Sequence, residues 1–156
     1  MRVFATIFTL IIISITAEAG TRRLTDFEQL WSALQSGVSV RAVIYYGECK
    51  LLIDGKEESA PAAVGGVELW PYEYFPAMLM GNPRAFISVS ETRLISHPKR
   101  GYVYNYVKLR IYEDGEVEIQ ARYLKPKSLK ITMDETFKGI ISTADSTGGI
   151  HLYADE

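Results

Sequence analysis

The clearest alternation of apolar and polar positions in the chain runs from Tyr102 to Leu124. Val103, Val107, Leu109 and Ile111, with Asn105 among them, occupy every second position, which places them on one face of an extended strand. Tyr102, Tyr104, Tyr106, Lys108, Arg110 and Tyr112 take the other face. Beyond Glu113-Asp114-Gly115, the residues Val117, Ile119, Ala121 and Tyr123 alternate with Glu116, Glu118, Gln120 and Arg122. Requiring the faces of the two strands to coincide selects the turn between them. A two-residue Asp114-Gly115 loop sets Ile111 against Glu118 and Leu109 against Gln120, mixing polar groups into the apolar layer. A three-residue Glu113-Asp114-Gly115 loop instead pairs Ile111 with Val117, Leu109 with Ile119 and Val107 with Ala121. On the reverse face it pairs Arg110 with Glu118 and Tyr106 with Arg122. This loop predicts a type I turn followed by a left-handed residue at a bulge, a conformation Gly115 adopts without steric cost.

Elsewhere the period changes. Thr21 to Gly37 predicts a helix: Thr25 or Asp26 can accept the first free amides, Glu28 stands where a capping box needs it, and Phe27, Leu30, Trp31 and Leu34 repeat at helical spacing. Its polar face lacks the basic residues of a membrane-surface helix, so the apolar stripe is expected to lie on the core. From Gly37 onward the spacing is two. Val38 to Tyr46, Lys50 to Ile53, Val67 to Leu69, Ala85 to Ser90, Thr92 to Ser96, Leu129 to Met133, Phe137 to Ser142 and Ile150 to Tyr153 are further short strand candidates. Lys56 to Gly66 reads as a loop, and Glu73 to Pro83 fits neither period. Short strands after one helix, without long crossover helices, favour an α+β fold: an N-terminal helix packed on a strongly bent antiparallel β-sheet or partial β-barrel.

The first residues form a separate unit. Arg2, the apolar run Val3 to Ile13 and then Ala17-Glu18-Ala19 have the charged, apolar and small-residue order of a secretory signal. Residues 1–19 are therefore expected to be a signal peptide and 20–156 a single β-rich domain. That placement is secreted: extracellular, or periplasmic if the source is bacterial. No later stretch reaches the ~20 apolar residues of a membrane span, so no membrane partner is expected after cleavage. The net charge of −2 gives no case for nucleic-acid binding, which needs a dense basic surface. Lys99-Arg100 and Lys125-Pro126-Lys127 fall in turns and read as solvated loop charge.

Cys49 is the only cysteine, so no internal disulfide exists and packing must supply the stability. The thiol is either buried as a small hydrophobe or open to a homodimer bridge through Cys49. His97 and His151 share no metal-ligand spacing with each other or with Cys49, and Gly65-Gly66 and Gly148-Gly149 lack the strand-to-helix setting of phosphate loops. No metal, cofactor or catalytic constellation is expected, and the chain reads as a non-enzyme. The tyrosine stripe is the one ligand-binding constellation: Tyr102, Tyr104, Tyr106, Lys108, Arg110 and Tyr112 combine amphipathic rings with donors, as pockets and interfaces do. Its alternative is a second packed face, covered by the helix or by the Trp70–Tyr74 segment.

Phe27-Glu28-Gln29-Leu30-Trp31-Ser32-Ala33-Leu34, Val40-Arg41-Ala42-Val43-Ile44, Tyr46-Gly47-Glu48-Cys49-Lys50, Gly65-Gly66, Glu73-Tyr74-Phe75 and Gly101 to Tyr112 together resemble the VirK protein family of small exported proteins. The resemblance spans most of residues 20–156. It implies an association with bacterial virulence or host contact, and implies no reaction, cofactor or catalytic residue. The expected function is a secreted, non-enzymatic host-interaction module recognising a protein or small amphipathic ligand. The alternatives are a barrel-type carrier of an apolar ligand and a cysteine-dependent enzyme.

Overall fold

In the computed structural model, which describes residues 20–155, one α-helix and eleven strands, besides single 3-10 turns at Tyr46–Glu48 and Leu79–Gly81, follow in this order: β1 (Thr21–Leu24), α1 (Phe27–Gln35), β2 (Val40–Tyr45), β3 (Lys50–Ile53), β4 (Lys56–Glu58), β5 (Val64–Glu68), β6 (Tyr72–Phe75), β7 (Phe86–His97), β8 (Gly101–Tyr112), β9 (Glu116–Leu124), β10 (Ile131–Ile141) and β11 (Gly149–Asp155). The strands form one curled sheet in the order β5-β2-β11-β10-β9-β8-β7-β6, with β1 added beside β11 and β3-β4 beside β10. The result is a half-barrel of the kind its short strands predict. One neighbouring pair is parallel: β10 and β11 share two residue pairs, Ile140 with Gly149 and Ile141 with Ile150. So short a parallel contact needs only the loop between them, not a crossover helix.

The hairpin of β8 and β9 has the register that face-matching selects: Ile111 opposite Val117, Leu109 opposite Ile119, Val107 opposite Ala121, Arg110 opposite Glu118 and Tyr106 opposite Arg122. Gly115 stands at φ 83°, and its amide donates to the Tyr112 carbonyl at 2.9 Å. Leu109, Ile111 and Ile119 are fully buried. Their neighbours in the core are Ile44 of β2, Ile87 of β7, and Ile150 and Leu152 of β11. These side chains pack on the concave face of the sheet with α1 against them, and farther along the same face Tyr46, Val67, Glu91, Arg93, Asn105 and Val107 line a hollow of about 160 Å³. Leu30 and Leu34 of α1 are buried, its Trp31 stacks on Tyr74 at 4.3 Å, and the Tyr72 hydroxyl donates to the Leu34 carbonyl at 3.2 Å. Residues 1–19, the expected signal peptide, lie outside the described residues.

Three expectations are corrected. The helix begins at Phe27, not Thr21, because residues 21–24 pair with β11 from Thr21 opposite Asp155 to Leu24 opposite Leu152. Asp26 is the cap, accepting the Gln29 amide at 2.8 Å. Gln29, not Glu28, completes the box: its side-chain oxygen accepts the Thr25 amide at 3.2 Å. The expected loop from Lys56 to Gly66 contains β4 and the start of β5, since the Asp54-Gly55 turn folds β4 back on β3. Finally, two pairs of short strands merge into the long β7 and β10. Glu91 interrupts the apolar pattern of β7, but it pairs with Arg93 two residues on along the same face. Asp134 interrupts β10 and pairs across strands with Arg122 at 2.9 Å.

Leu109→Ala is expected to lower the unfolding free energy by about 2–5 kcal/mol, as for other fully buried leucines. Gly115→Ala should cost about 1–2 kcal/mol through backbone strain alone, because nothing lies within 4 Å of the added methyl. Urea midpoints at constant m-value measure both, and an unchanged midpoint for Gly115→Ala would mean that the turn has rearranged.

Candidate ligand groove

The six residues of the stripe do share the outer, convex face of β8, and the structure divides them. Lys108, Arg110 and Tyr112 line a groove of about 410 Å³. Tyr102, Tyr104 and Tyr106 lie outside it, toward the far end of the strand. Neither the helix nor the Trp70–Tyr74 segment covers the stripe: α1 packs on the opposite face, and β6 extends the sheet beside β7.

Register builds the groove floor. Phe75 of β6 faces Phe86 of β7, which faces Tyr112 of β8. The three rings form a continuous cross-strand row: Phe75 and Phe86 stack at 4.8 Å and 17°, and Phe86 meets Tyr112 at 5.7 Å. The next row along carries Glu73, Ser88 and Arg110, followed by Lys108 opposite Ser90 and Gln120. An apolar floor thus grades into a polar, cationic rim over two steps of the pleat.

The segment from Pro76 to Arg84 overhangs the floor. Asn82 holds it in place, its side-chain amide donating to the carbonyls of Pro76 at 3.0 Å and Arg84 at 2.8 Å. Met78 and Met80 adopt left-handed backbone at φ 65° and 55°. That conformation costs a non-glycine residue energy, and here it leaves Met80 90% exposed at the groove edge. Arg84 forms the side wall, with its guanidinium 4.1 Å over the Tyr112 ring. It bonds Glu116 at 2.6 Å and also Asp114, so the hydrogen bonds of these carboxylates raise its pKa further. Partial burial works to raise the Asp114 carboxyl, but the Arg84 hydrogen bond and backbone amides outweigh it and leave the group below its ordinary value.

The two remaining cations differ from Arg84. Arg110 lies 3.5 Å from Glu118, yet its Nε is buried without a hydrogen-bond partner. Among the described residues no carboxylate pairs with Lys108. The groove therefore offers an aromatic floor, a flexible thioether edge, the Glu73 carboxylate and two cationic groups with unfilled hydrogen-bonding capacity. Phe75, Arg84 and Phe86 were not among the residues expected from sequence. Counting back from Tyr112 through the His97–Gly101 turn would have placed Phe86 beside it. The overhang, by contrast, has no period to read.

Cys49 lies elsewhere, 7% exposed. Glycines make room for its sulfur: a Cβ on Gly139 would stand 2.9 Å from Sγ and one on Gly149 2.7 Å. Burial pushes the thiol's pKa up, and Glu48 adds to the shift. A bridge to a second chain would require these strands to open. His97 has other partners, the Tyr123 ring at 5.3 Å and the Lys99 amide at 3.1 Å. His151 is not on an edge strand, since β11 runs between β10 and β2. It rests against Tyr45 at 4.9 Å, and burial followed by Arg23 lowers its pKa.

A family model described as VirK protein matches residues 23–129. The chain belongs to the VirK protein family. Every groove side chain falls inside that span. The crystal structure of a VirK family protein from Legionella pneumophila is similar over 83% of this chain and 97% of that one, with a TM-score of 0.61 and 14% identity. At that identity the likeness speaks to the fold. No curated protein matches the chain at comparable stringency.

Native protein at neutral pH is expected to react with a maleimide or disulfide reagent about tenfold or more slowly than urea-unfolded protein, because only an accessible thiolate attacks. Equal rates would show that Cys49 is open and reactive.

Proposed function

We propose that this VirK family chain is an exported, non-enzymatic binding module that takes a small amphipathic anion in the β6–β8 groove. The observation that carries the reading is the juxtaposition of the Phe75–Phe86–Tyr112 floor with Lys108 and the orphaned Nε of Arg110. A buried donor without a partner costs about 1–3 kcal/mol, and a carboxylate or sulfonate oxygen meeting the exposed part of the Arg110 guanidinium would relieve that cost once the side chain turns its Nε toward the groove. An alkyl or aryl body can meanwhile cover the rings and Met80, whose unbranched thioether adapts to irregular partners. Export is supported by the order of charged, apolar and small residues over 1–19. A non-enzymatic role is supported by the buried, protonated state favoured for Cys49 and by the separate engagements of both histidines.

Anilinonaphthalene sulfonate is a suitable probe. The protein should bind it with a fluorescence rise that dodecanoate competes away. Lys108→Gln with Arg110→Gln should raise the Kd about tenfold or more, as loss of charge-assisted hydrogen bonds does, and Met80→Ser should weaken binding without lowering the melting temperature. Tyr104→Ser should leave the Kd unchanged. Binding that ignores the two cation substitutions but falls with Tyr104→Ser would move the site to the other half of the strand.

A further inference from the structure

The opposite end of the long strands carries a second surface. The β7–β8 turn at residues 98–100 and the β9–β10 turn at residues 125–130 project from the same edge, because Tyr104 pairs with both Leu94 and Leu124. Arg100 binds the first tip to the base of the second, donating to the Thr132 carbonyl at 2.9 Å. In a chain of net charge −2, the two tips gather Lys99, Arg100, Lys125, Lys127 and Lys130, all exposed, and no described carboxylate pairs with any of them. Between these cations stand exposed apolar side chains. Tyr102 is 70% exposed and Leu129 61%, the latter held outward at the second tip by a left-handed backbone of φ 55°. Behind the tips, a cross-strand row on the convex face runs Leu94, Tyr104, Leu124 and Ile131. On the other side, an open hollow of about 600 Å³ lies between the tips, lined by His97, Lys99, Arg100, Tyr123 and Met133.

We propose that the paired β7–β8 and β9–β10 tips seat the protein on an anionic lipid surface, the five cations meeting headgroups while Tyr102 and Leu129 enter the interface. Charge complementarity fixes the sign of the partner. The interleaved apolar groups choose its kind, because a nucleic acid or soluble polyanion offers phosphates but no apolar phase to receive Leu129, Leu94 and Ile131. A lipid surface supplies both, and amphipathic tyrosine suits its boundary. The sequence-based expectation of no membrane partner rested on the lack of a spanning segment and of a basic amphipathic helix. Two tips lying on the surface require neither, and no described helix is long and apolar enough to cross a bilayer. The proposal is independent of the groove, which lies at the far end of β8.

Co-sedimentation of the chain starting at Gly20 with vesicles of phosphatidylcholine, with and without phosphatidylglycerol, tests it. Binding is expected only to the anionic vesicles, and it should vanish near ~1 M salt, where the screening length falls to about 3 Å. Each neutralised lysine should reduce partitioning about fivefold, so Lys125→Gln, Lys127→Gln and Lys130→Gln together should reduce it about a hundredfold. Tyr102→Ser with Leu129→Ser should weaken binding at unchanged charge, whereas Lys108→Gln with Arg110→Gln should leave vesicle binding intact. Equal binding to neutral and anionic vesicles, or none to either, overturns the proposal whatever the variants do. So does anionic binding that survives the Tyr102 and Leu129 substitutions and is competed by polyphosphate, which would assign the tips to a soluble polyanion.

Discussion

The inward alternation of β8 is the constraint from which the rest follows. A one-residue slip against β9 would turn Leu109 and Ile111, both fully buried, to water while bringing Lys108 and Arg110 into the core. Each cross-strand pair contributes only ~0.2–1 kcal/mol, too little to fix the register pair by pair. Burying one leucine or isoleucine is worth about 1.5–3 kcal/mol, and the slip would expose the whole set. Burial therefore decides the register, and the three-residue turn with Gly115 at φ 83° delivers it.

What could be read from sequence follows from the same physics. Where one face is apolar and the other polar over many residues, as in 102–124, the period alone specifies strand, face, turn and partner. The pattern misleads where a polar residue at an inward or bridging position finds an ion partner. Glu91 looks like a strand end until Arg93 neutralises it, and Asp134 does until Arg122 does. Residues 21–24 mislead for a different reason. They have no periodicity of their own, and only the ladder edge of β11, more than a hundred residues away, makes them a strand. Half of the candidate site was legible, because Lys108, Arg110 and Tyr112 lie on the readable strand. The other half comes from β6, β7 and the Met78–Arg84 overhang, whose placement depends on non-local pairing and on Asn82 bonding two carbonyls.

The single cysteine illustrates how a local sequence feature is explained by distant partners. Gly139 and Gly149 belong to β10 and β11, which meet in parallel for only two residue pairs. Side chains at either glycine would run into Sγ, so the crossing and the sulfur occupy the same space by mutual exclusion. An oxidising compartment makes a lone thiol a hazard only when it is accessible. Here the glycines let the strands close over it, and the burial expected of a lone cysteine is achieved by residues some ninety to a hundred positions away.

The convex face of β8 carries both the groove and the row behind the tips, and the length of the strand determines how that face is divided. Eleven steps at about 3.3 Å each separate Gly101 from Tyr112 by roughly 35 Å, farther than a screening length of about 8 Å at physiological ionic strength. The cations of the tips and those of the groove therefore act independently, with the Tyr106, Arg122 and Asp134 row between them. That row is internally compensated: Asp134 takes the charge of Arg122, which leaves it with little to offer a ligand. The groove cations keep unfilled capacity for a different reason. Glu118 serves Arg110 from one side only and leaves Nε orphaned, while Lys108 faces the neutral Ser90 and Gln120. Along β8 and β9, cross-strand pairing thus determines which positive charges are spent within the protein and which remain for a partner.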